Sequence, residues 1–95
     1  MNFIWLNKQG VKNENGEVVQ STGRFTIEYR KGSKVIEIDI ERGIMGSTSC
    51  IIYSRKDFEK WSKGGGLLSL VEKEQALNAF RKALKFQGLI PDEEQ

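Results

Sequence analysis

The residues of this chain best suited to chemistry are carboxylates in two segments where charged and apolar residues alternate. Four of them stand out: Glu28, Glu37, Asp39 and Glu41. Side chains two residues apart on a strand emerge on the same face, about 7 Å from each other. Such a row of like charges weakens a free sheet but complements a basic partner. We therefore predict that these acids bind a protein partner. The alternative is a solvated face whose charge is relieved by lysines of neighbouring strands.

Catalysis is not expected from this sequence. It contains no histidine, and its single cysteine, Cys50, therefore has no histidine to activate it. Motifs for a nucleophilic serine, a phosphate-binding loop or a zinc site are also lacking. We expect no enzymatic activity, no cofactor and no bound metal, and we interpret Cys50 as a buried, inert thiol. RGIMGSTS, which starts at Arg42, could hold a phosphate on backbone N–H groups, but a plain loop is the simpler interpretation.

A tryptophan stands just before a glycine-rich segment. Trp61 lies in YSRKDFEKWSKGGG, and the three glycines are Gly64, Gly65 and Gly66. A large ring beside such a loop either fills the core or anchors a partner. Burial is the usual outcome for so large a side chain in a small domain. We favour the core interpretation and keep Trp61 as a fifth candidate partner-binding residue.

A β-hairpin is predicted to carry the acidic residues. The apolar residues that alternate along its two strands are Phe25, Ile27, Tyr29, Ile36, Ile38 and Ile40. A type II′ turn at Gly32-Ser33 pairs all of these with one another and places Glu28 opposite Glu37. A turn at Lys31-Gly32 pairs fewer apolar residues and is the second choice. Arg24, opposite Glu41, is the compensating charge within the pair.

Other β elements are predicted from short apolar runs and turn signals. FIWL, from Phe3, is a strand candidate, and Asn15-Gly16 marks the turn of a polar, peripheral hairpin. CIIY, from Cys50, is interpreted as a buried strand. A short helix from about Arg55 to Trp61 is expected next, because Ser54 begins a Ser-x-x-Asp pattern.

The C-terminal part predicts an amphipathic helix that packs on the sheet. Ser69 and Glu72 have the spacing of a capping box, and Gly88 with Leu89 fits a Schellman ending. Pro91 blocks continuation, and the DEEQ tail is expected to fray. The predicted apolar stripe comprises Leu70, Ala76, Leu77, Phe80, Ala83 and Leu84. The predicted class is α+β, with an antiparallel sheet of four to five strands against this helix and one short helix between.

Length and composition indicate one small domain, residues 1–95. The net charge of +2, from 15 basic and 13 acidic residues, is too balanced to indicate a polyanion partner. No apolar run approaches the roughly 18 residues of a membrane span. The N-terminal MNFIWLNKQG lacks the features of a secretory signal. We therefore expect a cytoplasmic protein that does not contact a membrane.

The ordered motifs of the second half resemble those of the immunity protein 74 family, small bacterial proteins encoded beside polymorphic toxins. These motifs are IIYS, Trp61, GGG, SLVEKEQ and ALKFQG, and the preceding FTIEYRKGSKVIEIDIE fits the family's N-terminal half. The resemblance spans roughly Arg24 to Gly88. It implies an immunity protein, of the kind found in contact-dependent growth inhibition, that neutralises a cognate toxin by covering its active or substrate-docking site. Many such toxins are nucleases. One departure is that Lys63 and three glycines replace the family's proline-rich, acidic stretch after the tryptophan.

A second hypothesis is a single-strand nucleic-acid-binding module. The bases of the bound nucleic acid would stack on Tyr29, Tyr53 and Trp61, while nearby lysines and arginines contact its phosphates. Tyr29, however, shares the apolar face that the C-terminal helix should cover. Nucleic acid is therefore the weaker prediction for the partner, and the sequence leaves the oligomeric state open.

Overall fold

The α+β class is confirmed by a computed structural model that describes residues 2–94. In chain order these residues form β1 (Phe3–Asn7), β2 (Gly10–Asn13), β3 (Glu17–Gly23), β4 (Thr26–Lys31), β5 (Lys34–Asp39), β6 (Glu41–Met45), β7 (Thr48–Ser54), a 3₁₀ helix (Arg55–Phe58), α1 (Leu70–Phe86) and β8 (Ile90–Glu94). The first five strands make one antiparallel sheet in the order of the chain, and the last three make a second sheet. Both sheets share a single apolar core with α1.

The predicted register of the acidic hairpin is confirmed. Tyr29 lies opposite Ile36, and Glu28 lies opposite Glu37. Gly32 has a φ of 61°, whereas Ser33 has no positive φ, as a type II′ turn requires. This turn therefore fixes which residues of β4 and β5 face the core.

One apolar residue of this hairpin lies outside the core. The Ile40 N–H donates to the Phe25 carbonyl at 2.9 Å, so the backbone pairing continues as predicted. The Phe25 side chain is nevertheless 60% exposed, and its predicted burial is wrong. Phe25 lies just before β4 begins and just after the register shift between Ser21 and Gly23. It is therefore outside the regular alternation of side chains along β4.

The first hairpin contributes to the core, so its predicted peripheral position is wrong. Its Asn15-Gly16 turn is confirmed by a Gly16 φ of 80°. Val11 and Val19 are fully buried, and so is Glu17, at 3% exposure. The Glu17 carboxylate accepts hydrogen bonds from Asn13 Nδ2 at 2.9 Å and from the hydroxyl of Tyr29. A buried polar group with such partners is tolerated, which is why a polar sequence can pack inside.

The second sheet corrects two further predictions. RGIMGSTS is a β-hairpin rather than a loop: β6 pairs with β7 through a turn at Gly46, whose φ is 61°. The tail is also ordered as far as Glu94, because β8 pairs with β7 in parallel from Cys50 opposite Ile90 onwards. Gln95, the last residue of the predicted frayed tail, lies outside the described residues. Parallel neighbours need a long crossover, and α1 supplies it. Pro91, which lacks an N–H, is accommodated because β8 is an edge strand.

Both predicted helix ends are confirmed. The Glu72 N–H donates to Ser69 Oγ at 3.1 Å, and the Ser69 N–H donates to Glu72 Oε1 at 2.9 Å. At the other end the Leu89 N–H donates to the Leu84 carbonyl at 2.9 Å and the Gly88 N–H to the Lys85 carbonyl at 3.0 Å. This is the Schellman arrangement. The helix therefore begins and ends where local side chains satisfy its terminal backbone groups.

The apolar stripe of α1 faces the sheets, with one exception. Phe80 is fully buried, and its ring lies 5.0 Å from that of Tyr53 and 5.4 Å from that of Phe58, both edge to face. Leu70 is 77% exposed, and its predicted place in the stripe is wrong. It is the first residue of the helix, ahead of the turns that pack on the core. The short helix between β7 and α1, predicted for about Arg55 to Trp61, is a single 3₁₀ turn, Arg55–Phe58.

Phe80→Ala tests this aromatic centre. We expect a loss of about 3–5 kcal/mol in the free energy of unfolding, because a buried ring is replaced by a cavity. The matched control is Leu70→Ala, which removes an exposed side chain of the same helix and should change stability by no more than about 0.5 kcal/mol. Urea denaturation measures both. Equal, small losses in the two variants would contradict the packing described here.

Candidate functional site

The 3₁₀ helix and the segment after it close the outer edge of β5. Three alternate backbone N–H groups of this strand find acceptors there: Val35 on the Lys63 carbonyl at 3.0 Å, Glu37 on Ser62 Oγ at 2.9 Å, and Asp39 on Asp57 Oδ2 at 3.0 Å. An open strand edge with unpaired N–H groups invites pairing with another chain. These contacts close the edge and hold the backbone beneath Glu37 and Asp39.

The same segment inserts Trp61 into the core, as the favoured interpretation predicts. Trp61 is 4% exposed, and its ring stacks on Tyr29 with centroids 6.2 Å apart. Lys34 Nζ lies 5.4 Å from the centre of the indole, a cation–π distance. Because these neighbours leave so little of the indole exposed, Trp61 is a poor surface anchor for a partner.

The glycine run is a compact turn around the indole. Gly64 has a φ of +82°, and a Cβ there would lie 2.4 Å from the Ser33 carbonyl oxygen. A Cβ on Gly65 would lie 2.6 Å from the indole of Trp61. The Trp61 N–H donates to the Gly66 carbonyl at 2.9 Å. Glycine is therefore required at two of these positions, by backbone conformation and by close approach.

The predicted acidic row is divided between the two sheets, and its second half lines a groove. β5 ends at Asp39, and Glu41 begins β6, because the buried Ile40 carries the chain from one sheet to the other. The alternation of side chains continues through this corner, so Asp39 and Glu41 border the same open depression of about 770 Å³. We call its five carboxylates the acidic groove: Asp39, Glu41, Asp57, Glu93 and Glu94.

Two cations also line the acidic groove, and one of them is already engaged. Arg55 bonds Glu74 at 2.9 Å and lies 3.7 Å from Glu93. Glu93 also binds Arg81, whose Nε donates to the Tyr53 hydroxyl at 2.7 Å. No ion pair within residues 2–94 engages Asp39, Glu41, Glu94 or the second cation, Lys56. The groove therefore retains an excess of uncompensated negative charge.

The pKa of Asp57 is raised by its position in the acidic groove. Burial raises the pKa of the Asp57 carboxyl, the nearby Asp39 carboxylate raises it further, and the hydrogen bond from the Asp39 N–H opposes both. The charged form is thus held in an environment that disfavours it. A cation placed in the groove would relieve this cost.

The other predicted acids lie elsewhere. Glu28 and Glu37 stand on the outer face of the five-stranded sheet and do not line the acidic groove. Arg30 of the same strand, rather than a neighbouring lysine, bonds Glu28 at 2.9 Å. Arg24 does not pair with Glu41 in the described residues; its carbonyl accepts a hydrogen bond from Arg42 Nε at 3.0 Å.

Sequence reasoning missed three members of the groove. The sequence patterns place Asp57 only at a helix start, and Glu93 and Glu94 in a frayed tail. Ser54 does cap the 3₁₀ helix, because its Oγ accepts from the Lys56 N–H at 3.2 Å, whereas the Asp57 carboxylate accepts from Asp39 on β5. Nothing local in the sequence signals that the tail returns as a strand beside β7.

The aromatic residues on which the nucleic-acid hypothesis depends are buried. Tyr29 is 1% exposed, Tyr53 2% and Trp61 4%. The Tyr29 hydroxyl is occupied by Glu17, and that of Tyr53 by Arg81. None of these rings offers a face on which a base could stack.

Comparisons with protein-family models, with curated proteins and with solved structures found no match. The resemblance to the immunity protein 74 family therefore stays a prediction. Within residues 2–94, no helix has the length and apolar character to cross a membrane. The same residues contain no cluster of three or more histidine, cysteine or acidic side chains arranged to hold a metal ion.

Gly64→Ala tests the turn around the indole. The new methyl group meets a backbone oxygen, and the left-handed backbone is strained for alanine, so we expect a loss of roughly 1–3 kcal/mol in stability. Gly66→Ala is the matched control, because Gly66 has open space around its Cα and no positive φ. Urea denaturation followed by tryptophan fluorescence compares them. If the two variants are equally stable, the turn is not constrained in this way.

Asp57→Asn separates hydrogen bonding from charge in the groove. The amide oxygen still accepts from the Asp39 N–H, while the disfavoured charge is removed. Because folding raises the pKa of Asp57, the native state of the parent binds the proton more tightly than the unfolded chain does. The variant should therefore unfold at a higher temperature than the parent near pH 7. The difference should shrink as the pH falls through the raised pKa of Asp57 and should be largely gone below the ordinary aspartate pKa. A variant less stable than the parent at pH 7 would contradict this account.

Proposed function

We propose that this protein is an immunity protein that binds a bacterial toxin domain and neutralises it without catalysis of its own. The observation that carries the proposal is the acidic groove, where five carboxylates and two cations line one depression in a chain of net charge +2. The concentration of negative charge is therefore local rather than a property of the whole molecule. The ordered motifs of the second half support the same class of protein.

The chemistry of the groove favours a basic partner. Four of its five carboxylates have no ion pair within residues 2–94, and burial disfavours the charged form of one of these four, Asp57. Association with a lysine- or arginine-rich surface would relieve both costs. Nuclease toxins bind phosphates and therefore carry such surfaces at their active or substrate-docking sites. We propose a nuclease-type toxin domain as the partner.

The rigidity of the groove also suits binding. Its acids stand on β5, β6, the 3₁₀ helix and β8, and each element is fixed by backbone pairing or by a cap. A preorganised surface loses little conformational entropy when a partner docks. A standard interface covers about 800 Å² on each partner, so contacts must extend past the groove. Glu37, exposed two residues before Asp39 on β5, is the nearest further acid on that strand.

The proposal leads to a test of function and interface together. Expression beside the toxin domain encoded by the neighbouring gene should restore growth of cells that the toxin otherwise kills. Asp39→Lys with Glu41→Lys should lower the association rate by about 10-fold to 10³-fold at low salt, because long-range attraction becomes repulsion. The loss should be smaller at high salt, where charges are screened.

The matched control reverses two exposed acids outside the groove, Glu14→Lys with Glu59→Lys, and so applies the same change in net charge. It should protect cells and bind at close to the parent rate. If the parent fails to protect cells, the immunity function is wrong. If the parent protects but the groove variant binds as fast and as tightly as the parent at both salts, the interface lies elsewhere.

A further inference from the structure

Three of the four outer strands in the two sheets carry charges, a proline or a covering segment that prevents pairing with another chain. The fourth has only a register shift near its end. The edge of β5 is closed by Asp57, Ser62 and Lys63. β6 carries Glu41 and Arg42, and β8 contains a proline and three acids. Charges and proline are the usual devices that prevent strand addition. β1, with the sequence FIWLN, has neither.

The side chains of β1 make this bare edge apolar. Ile4 is 63% exposed, Trp5 51% and Leu6 49%. The rings of Phe3 and Trp5 each lie 5.7 Å from the ring of Phe86, which is itself 44% exposed. The aromatic residues are therefore held in place rather than free to turn into the solvent. Side chains alternate along a strand, so Ile4 and Leu6 lie on the face opposite Trp5, and apolar side chains are exposed on both faces of this edge. Exposed apolar surface of this kind marks an interaction site.

We propose that β1 pairs with β1 of a second copy of this chain, antiparallel about a two-fold axis at Ile4. The strand carries no charged residue from Phe3 to Asn7, so no like charges are opposed when it meets its own copy. Its pairing with β2 is regular from Phe3 to Trp5 and shifts between Trp5 and Asn7, which centres the usable stretch on Ile4. Ile4 then lies opposite Ile4 of the second copy, and Phe3 lies opposite Trp5.

The dimer is compatible with the acidic groove and does not depend on it. β1 and β5 are opposite edges of the five-stranded sheet, and the groove lies on the β5 side, beside β6 and β8. Pairing through β1 gives a continuous ten-stranded sheet, close to the largest size common for twisted open sheets. Both grooves remain uncovered, one on each side of the dimer. A protein without any toxin partner would form the same dimer.

Oppositely charged variants of Ile4 give a sharp test. Sedimentation should show the parent as a dimer of twice 10.8 kDa. Ile4→Lys alone and Ile4→Glu alone should each be monomers, because like charges are directly opposed across the axis. An equimolar mixture of the two should recover the dimer as a heterodimer. Restoration on mixing is an outcome that simple misfolding of either variant would not produce.

Leu67→Lys is the control, because Leu67 is 80% exposed and lies in the turn beside the three glycines. This variant should remain a dimer. Far-ultraviolet circular dichroism and a cooperative thermal transition report that each variant is folded. The proposal is overturned if the parent is a monomer at its highest soluble concentration, if both charged variants dimerise as the parent does, or if the mixture of folded variants stays monomeric.

Discussion

Closure of the β5 edge is the constraint on which the rest of this structure depends. Asp57, Ser62 and Lys63 each accept one N–H of that strand, so the sheet can end at β5 without leaving these N–H groups of the strand unpaired. The segment that provides these acceptors must then run alongside β5, and it thereby brings Trp61 onto Tyr29. The chain itself leaves β5 at Ile40 and starts the second sheet. One set of hydrogen bonds thus determines the sheet boundary, the place of the indole and the position of the groove.

Local signals in the sequence predicted the fold well where all the interacting residues are near one another along the chain. The turn at Gly32, the capping box at Ser69 and the ending at Gly88 each depend on residues within about five positions, and all three are confirmed. The parallel pairing of β8 with β7 was missed, because a crossover through α1 leaves no turn signal at the strand ends. Burial of Glu17 was missed for a related reason: one of its partners, Tyr29, stands on another strand.

The candidate site was predictable only in part. The alternation of apolar and acidic residues in VIEIDIE predicts that Asp39 and Glu41 lie on the same side. The two residues do border the same groove, although they belong to different sheets. The other three carboxylates come from the 3₁₀ helix and the last strand, whose approach to β5 is a long-range feature. Glu28 and Glu37 share the pattern of the row, and Glu37 lies on the same face of β5 as Asp39, but neither of them lines the groove.

The acidity of the groove is not explained by the needs of the fold. Two positions along the β5 edge solve the same problem with different chemistry: Ser62 accepts the Glu37 N–H through a neutral hydroxyl, whereas Asp57 accepts the Asp39 N–H through a carboxylate. The hydroxyl is sufficient for the hydrogen bond, so the charge at Asp57 adds a cost, seen in its raised pKa, without a further structural gain. A negative charge retained where a neutral group would close the edge equally well fits a surface whose role is to attract a cationic partner.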